Sequence, residues 1–365
     1  MLNLLFSNAR FSRIVLFVGV AALFGSLAVP AYAVTLDMVT VGNPGNANDT
    51  INTGTNPNYG AVADSYQIGK YDVTIGQYAV FLNAADPNGT NPNGIYNAFM
   101  ETDLNVAGIS YTSGASSGSK YSVMAASGVA PFGGVTAANR PITYVSWFDA
   151  ARFANWMTNG QGAGSTETGA YTLNNATSGN AVAVNAGAAF YIPTENEWYK
   201  AAYFSPNYGG VGVPGYYAYA TQSDSDPGNI IGSGTNQANW RTGGGYSVTL
   251  DGYNGSQNFL TDVGAFSGSQ SFYGTFDQSG NVFQWNDLDG TAGSSRGRRG
   301  GDWDNNNELS LSSSFSYPDN PSFEDYYLGF RLAAPVAVPE PSTCASLLAG
   351  LACAGYSMFR RRKRA

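Results

Sequence analysis

Three windows of this chain share one pattern: a short extended run, then Thr or Ser, then apolar residues at helical spacing. In the first, the opening part of Ile68–Thr74 reads as a strand, and Tyr78, Phe81 and Leu82 fall on one helical face. Thr74 has Gln77 three residues on. A hydroxyl accepting from the third helical N–H, answered by a side chain reaching back, is a capping box. It predicts a helix over Ile75–Asn83. In the second window Arg140-Pro141-Ile142-Thr143-Tyr144-Val145 leads to Ser146, with Asp149 as its reciprocal partner. Phe148, Arg152, Phe153 and Trp156 continue that helix to about Met157, before Asn159-Gly160. In the third, Thr194 caps and Glu197 closes the box, opening a helix through Trp198 to Tyr203.

The segments between are built from turn residues. Gly42–Gly60 is rich in Asn, Gly, Pro and Thr and reads as a surface loop, or else as a ligand-binding turn. Residues 84–138 read as loops with short strands near Ile109–Thr112 and Tyr121–Met124. Residues 160–188 are another Gly/Asn/Ala stretch. Three short capped helices and scattered short strands agree with the loop-rich α+β single domain that the family resemblance given below implies.

Both ends carry different patterns. Residues 1–33 combine Arg10 and Arg13, an apolar run from Ile14 to Val29, and Ala31-Tyr32-Ala33. These are the parts of a secretory signal peptide, with an uncleaved anchor as the other reading. At the far end Pro339-Glu340-Pro341 precedes the mostly apolar Ser342–Phe359 and the basic Arg360–Arg364. That length just crosses a bilayer, and the basic cluster would hold the end in the cytoplasm. The organisation expected is a signal peptide at 1–33, a loose N-terminal segment at 34–65, one domain at 66–334, a linker at 335–341, and an apolar segment with basic tail at 342–365.

Charge and composition narrow the chemistry. Between Val34 and Val338, 10 Lys and Arg stand against 24 Asp and Glu, a formal charge of −14. Such a surface repels nucleic acid and anionic membrane and suits divalent cations or neutral polymers. The chain has no His, and its two cysteines, Cys344 and Cys353, lie in the apolar tail. A disulfide, a thiolate nucleophile, a Cys/His zinc site, a Ser-His-Asp triad and a three-His iron site are thereby excluded from the domain. A bound metal would have oxygen ligands, which points to Ca²⁺ and away from copper, zinc or haem.

Six ordered blocks resemble one family. Lys70-Tyr71-Asp72-Val73-Thr74, Val145-Ser146-Trp147, Ile192-Pro193-Thr194-Glu195, Gly280-Asn281-Val282-Phe283-Gln284-Trp285, Arg299-Gly300-Gly301-Asp302-Trp303 and Gly329-Phe330-Arg331 follow the wording of the formylglycine-generating enzyme, or sulfatase-modifying factor, family. The resemblance spans roughly residues 66–334 and implies a loop-rich fold related to C-type lectin-like domains. The tail resembles the PEP-CTERM sorting signal of Gram-negative bacteria. It implies an exosortase, alongside signal peptidase, as a processing partner. The product would be exported to the outer surface or extracellular matrix after passing through the inner membrane; a plain C-terminal anchor is the alternative.

The family resemblance also implies site residues. Active members oxidise a sulfatase cysteine with two copper-binding cysteines, and those positions fall here on Asn305 and Ser310. A first calcium site would use Asn239, Trp240, Asp251 and Tyr253, with Gln257–Leu260 looking like an insertion in its loop. A second would use Ser279, Gly280, Val282 and Gln284, where an amide stands for the family's carboxylate. Asp302, Asp304 and Glu308 read as a solvated acidic turn or a hard-cation site. Arg296, Arg298 and Arg299 read as paired internally with acids such as Asp287 and Asp289. Glu195 and Glu197 suit a helix N-terminus better than a glycosidase pair. Trp147 and Trp156 read as core, a stacking surface for sugar or peptide being the functional alternative. Two functions follow: a catalytically silent binding or structural protein of the envelope or exopolysaccharide matrix, with a glycan or peptide ligand, or an enzyme using non-Cys, non-His chemistry.

Overall fold

The structure is a computed structural model and describes residues 33–50, 58–128 and 134–336. Residues 1–32 and 337–365, which hold most of the expected leader and all of the Pro-Glu-Pro motif, apolar segment and basic tail, lie outside the described residues. Among the described residues no helix is long and apolar enough to cross a membrane.

All three capping boxes form. Helices α1 (Ile75–Ala85), α3 (Trp147–Thr158) and α4 (Glu195–Tyr203) begin at Thr74, Ser146 and Thr194, each cap hydroxyl accepting from the backbone N–H three on and each cap backbone N–H donating to that residue's side chain. A one-turn helix, α2 (Phe99–Thr102), interrupts the stretch read as loop and short strand; its cap position, Ala98, makes no side-chain hydrogen bond. The short strands expected near Ile109–Thr112 and Tyr121–Met124 form as Ile109–Tyr111 and Tyr121–Val123, and they pair antiparallel with each other.

Two sheets organise the rest. In one, Tyr66–Gly69 is central, pairing antiparallel with Met38–Val41 and Ala333–Pro335. The segment 34–65, expected to be loose, thus supplies an edge strand. The ladder to Ala333–Pro335 runs on to Gly69, whose N–H donates to Leu332 O at 2.8 Å. The other sheet runs Tyr317–Asp319, Arg296–Arg299, Phe283–Asn286, Leu328–Gly329, and its last pair is parallel.

The core is aromatic. Tyr78, Phe81, Phe153, Trp156 and Phe330 are all buried, and Phe153 meets Phe81 at 5.4 Å and Phe330 at 5.5 Å between centroids. Trp147 and Trp156 both belong to this core and form no stacking surface for sugar or peptide; they stand on opposite faces of a helix that is buried almost all round. Truncating such a ring to Ala costs about 3–5 kcal/mol. Loops that run inside must have their backbone polar groups satisfied. Buried side chains do this: Arg299 Nη1 donates to Ser313 O and Phe315 O, and Asn258 Nδ2 donates to Ala107 O. The segment Gln257–Leu260, which looked inserted, is fully buried core.

Candidate functional site

The loop after strand Arg296–Arg299 begins with two glycines in the left-handed region, Gly300 at φ +104° and Gly301 at φ +72°. A Cβ at Gly301 would sit 2.8 Å from Leu311 Cδ1, so the close approach requires glycine. The turn drives Trp303 inward, where it is 2 % exposed and stacks on Phe259 at 5.0 Å and 12°. Tyr246 lies 4.3 Å from Phe259, and the exposed Tyr253 lies 5.9 Å from it. Tyr326 flanks Trp303 at 5.6 Å. Trp303 Nε1 finds no hydrogen-bond acceptor among the described residues.

Around this cluster the acids are engaged. Asp304 accepts from Tyr246 OH at 2.7 Å and Tyr326 OH at 3.2 Å. Asp302 Oδ1 accepts from Asp304 N at 2.7 Å and Asn305 N at 3.0 Å, and Asn305 Oδ1 accepts from Asp302 N at 3.0 Å. Asn305 is therefore closed into a reciprocal loop with Asp302. Burial pushes the Asp302 carboxyl up to about 7, although those N–H groups pull it down. The solvated acidic turn is corrected here: Asp302 is buried because the two glycines fold it under the loop. Ser310 lies half-buried on a single 3₁₀ turn, Glu308–Leu311. Beside the loop a cavity of about 420 Å³ is lined by Asp226, Trp240, Arg241, Asn306 and Glu308 among others, and Asp302 is not among its walls.

The residues of the first calcium set meet different surroundings. Asn239 is buried, its Nδ2 donating to Phe259 O at 3.0 Å and Asn281 Oδ1 at 2.9 Å. Trp240 O accepts from Asn229 Nδ2 and Ser247 Oγ. Asp251 and Tyr253 are exposed, and the Tyr253 hydroxyl donates to Asn105 Oδ1.

In the second set, Ser279 Oγ bridges Ala220 N and Leu311 O. Gly280, at φ +85°, packs so closely that a Cβ would lie 2.4 Å from Asn239 O. Val282 is fully buried. Gln284 Oε1 accepts from Trp198 Nε1 and Arg331 Nε, both at 2.7 Å. An oxygen held between an indole N–H and a guanidinium faces positive charge, so Gln284 does not fit a cation ligand.

The arginines are paired internally, in part with other acids than Asp287 and Asp289. Arg296 pairs with Asp287 at 3.1 Å, Arg298 with Asp319 at 3.2 Å, and Arg299 with Glu195. Asp289 instead accepts from Thr291. Glu197 Oε2 caps Thr194 N at 2.8 Å, and its Oε1 accepts from Tyr191 OH. Sequence patterns alone left unseen the stacking of Phe259 on Trp303 and the Asp72–Arg331–Gln284–Trp198 network, because both join distant segments.

Copper does not fit these residues. An amide and a hydroxyl stand at 305 and 310, and neither is a soft thiolate ligand.

Similarity to known proteins follows the same lines. The sulfatase-modifying factor enzyme 1-like domain matches residues 28–336. No curated protein matches. Among solved structures, "Crystal Structure of CarF" shares 21% identity at a TM-score of 0.47, covering 83% of this chain and 99% of that one. Treponema denticola variable protein 1 shares 19% at 0.47, covering 84% and 97%. PvdO from Pseudomonas aeruginosa shares 17% at 0.39, covering 82% and 92%. With a family match that runs across nearly all of the described residues and six sequence blocks falling in its order, this chain belongs to the sulfatase-modifying factor enzyme 1-like domain family.

Proposed function

We propose that this family member is an exported binding or structural protein of the cell envelope or exopolysaccharide matrix, without the family's copper-dependent oxidation of a cysteine. The observation that carries the reading is Asn305, whose amide is closed onto Asp302 where a thiolate would be needed. The raised carboxyl of Asp302 lies outside the neighbouring cavity wall, which argues against an acid–base site there. Export rests on the leader pattern at 1–33. Release by an exosortase rests on Pro339-Glu340-Pro341, the apolar segment and the basic tail.

A Cys-x-Pro-x-Arg peptide incubated with the exported protein, copper and oxygen tests the chemistry. No mass change is expected; protein-dependent aldehyde would overturn the reading. Mass spectrometry of the native product should place its C-terminus near residue 340, and an intact Arg360–Arg364 would mean a plain anchor. Calcium at Asn239, Trp240, Asp251 and Tyr253 is part of the proposal, with the exposed Asp251 carboxylate recruiting the ion. Binding would require Trp240 O to be released by Asn229 and Ser247. Calcium must then raise the melting temperature, since it binds only the folded state. Coinciding melting curves in calcium and in chelator would remove the ion from the proposal.

A further inference from the structure

A cavity of about 690 Å³ opens between the Asn43–Thr50 loop and the hairpin that ends at Tyr216. Small-molecule sites span roughly 300–1,000 Å³. Both walls are irregular, yet they are tied down. Asn46 Nδ2 donates to Gly60 O and to Tyr216 OH, each at 2.7 Å, and Tyr216 OH donates to Ala47 O at 2.6 Å. Gly45 N donates to Val62 O at 2.8 Å. On the hairpin, Gly212 N donates to Asn207 Oδ1 at 2.9 Å and Gly209 N to Val213 O at 3.0 Å. The cavity is therefore a formed cleft that needs little ordering to receive a ligand.

Its lining selects by charge and by shape. Tyr208 contributes a half-buried ring, with the buried Phe204 and Tyr216 behind it, and Pro44, Pro214 and Val213 contribute aliphatic surface. No Lys or Arg is among the lining residues. Lys200 reaches the loop from below, but its ammonium donates to Asn43 O at 2.9 Å, and burial lowers its pKa to about 8. An anionic ligand thus finds no Lys or Arg among the described lining residues, and the buried Asp49 adds negative charge behind the loop. That carboxylate already accepts from Tyr199 OH at 2.8 Å. Asn43 and Asn48 add amide Nδ2 donors, their Oδ1 atoms accepting from Tyr273 OH and Ala61 N, while the Asn46 amide is already spent on the walls.

We infer that this cleft is the protein's ligand site and that it takes a neutral saccharide. A pyranose ring presents an apolar C–H face to an aromatic ring and a rim of hydroxyls to amides. A proline-rich segment suits aromatic grooves too, but brings few donors to meet the amides. The inference rests on the binding reading above and gives it a place and a ligand class.

The test is calorimetric titration of the exported protein with maltohexaose, cellohexaose and the neutral members of an oligosaccharide array. Oligogalacturonate and a proline-rich decapeptide serve as the anionic and peptide rivals. At least one neutral oligosaccharide should bind. Tyr208→Ala and Val213→Asp should each weaken it roughly tenfold or more; since Tyr208 OH also donates to Asp224, Tyr208→Phe, which loses that bond and keeps the ring, should retain binding. Binding confined to the peptide or the anionic oligomer would overturn the ligand class. Saccharide binding unchanged in Tyr208→Ala and Val213→Asp but lost in Tyr253→Ala, at the Trp303 cluster, would overturn the site and leave the binding role standing. No binding of any saccharide or peptide would remove both.

Discussion

Arg331 Nε lies 2.7 Å from Gln284 Oε1, joining the Gly-Phe-Arg block to the Gly-Asn-Val block in the interior. The same oxygen accepts from Trp198 Nε1 on α4, and Arg331 Nη2 reaches Asp72 Oδ1 at 3.0 Å. Arg331 Nη1 also satisfies Gly69 O and Nη2 satisfies Phe276 O. One side chain at 284 therefore fixes a helix, an arginine and, through it, the end of the first sheet. Gln284→Leu would leave an indole N–H and a guanidinium N–H without partner. Each buried orphan costs about 1–3 kcal/mol, so a loss of about 3 kcal/mol is expected in urea unfolding. Gln284→Glu keeps the acceptor and should lose less. Equal, small losses in both would mean that the network relaxes around the site.

Asp287 is a second hub and yields a larger prediction. Its Oδ1 accepts from Trp147 Nε1 at 2.5 Å and its Oδ2 from Tyr171 OH at 2.7 Å, while Arg296 pairs with it at 3.1 Å and lies over the Trp147 ring. Asp287→Ala strands a buried guanidinium, which costs about 3–5 kcal/mol. Asp287→Asn keeps acceptors for the hydroxyl or indole and should be milder. Denaturation midpoints of the two variants, compared with Asp289→Ala as an exposed control, decide it. An Asp287→Ala midpoint near that of the control would show that the pair contributes nothing.

The third prediction concerns pH. Burial pushes the Asp302 carboxyl up to about 7 from its ordinary 3.8. Between those values the folded chain holds the proton more tightly than the unfolded chain. Stability from this group is complete below the unfolded value and is lost as pH rises through about 7. Asp277 and Asp287, raised by burial to about 6, act in the same sense. Each pH unit inside the window costs at most about 1.4 kcal/mol for one such group. Urea unfolding followed from about pH 4 to about pH 8 should show the decline. Asp302→Asn retains an oxygen for the N–H groups of Asp304 and Asn305 and should make the decline shallower by this one group's share, leaving that from Asp277 and Asp287. A variant slope as steep as the parent's would place the titration elsewhere.

What was legible in the sequence was local. Each capping box is closed by residues three apart, so Thr74, Ser146 and Thr194 announce their helices without help from the rest of the chain. Helix α2 has one turn and no side-chain cap, and so leaves no such mark. The pairing of Asp72 with Arg331 joins residues 259 apart, and no spacing rule reaches that far. Gln257–Leu260 looked like an insertion because the loop is longer than the one it resembles; it is buried, with Phe259 stacked on Trp303 and Asn258 Nδ2 donating to Ala107 O, contacts no spacing announces. The Asn305 position was readable from its block, but its closure onto Asp302 depends on two glycines in the left-handed region.

That closure shapes the last prediction, the return of thiols to the loop. Asn305→Cys removes the oxygen that accepts from Asp302 N, while the reciprocal bond from Asn305 N to Asp302 Oδ1 can persist. The single variant should therefore lose about 1 kcal/mol of stability, the net worth of one such bond. Ser310→Cys alters a half-buried side chain on a 3₁₀ turn and should cost less. With both cysteines present, two soft ligands share the loop, and thiolates select Cu(I). The double variant is expected to take Cu(I) from a chromophoric chelator, whereas the parent chain and each single variant do not. Copper binding is expected without oxidation of a cysteine peptide, because Asp302, Asp304, Tyr246 and Tyr326 are committed to one another and not to a copper-bound thiolate. If the double variant fails to compete for Cu(I) while its melting curve stays cooperative, the two positions do not face one ion. Asn305 and Ser310 would then no longer stand for the family's cysteine pair.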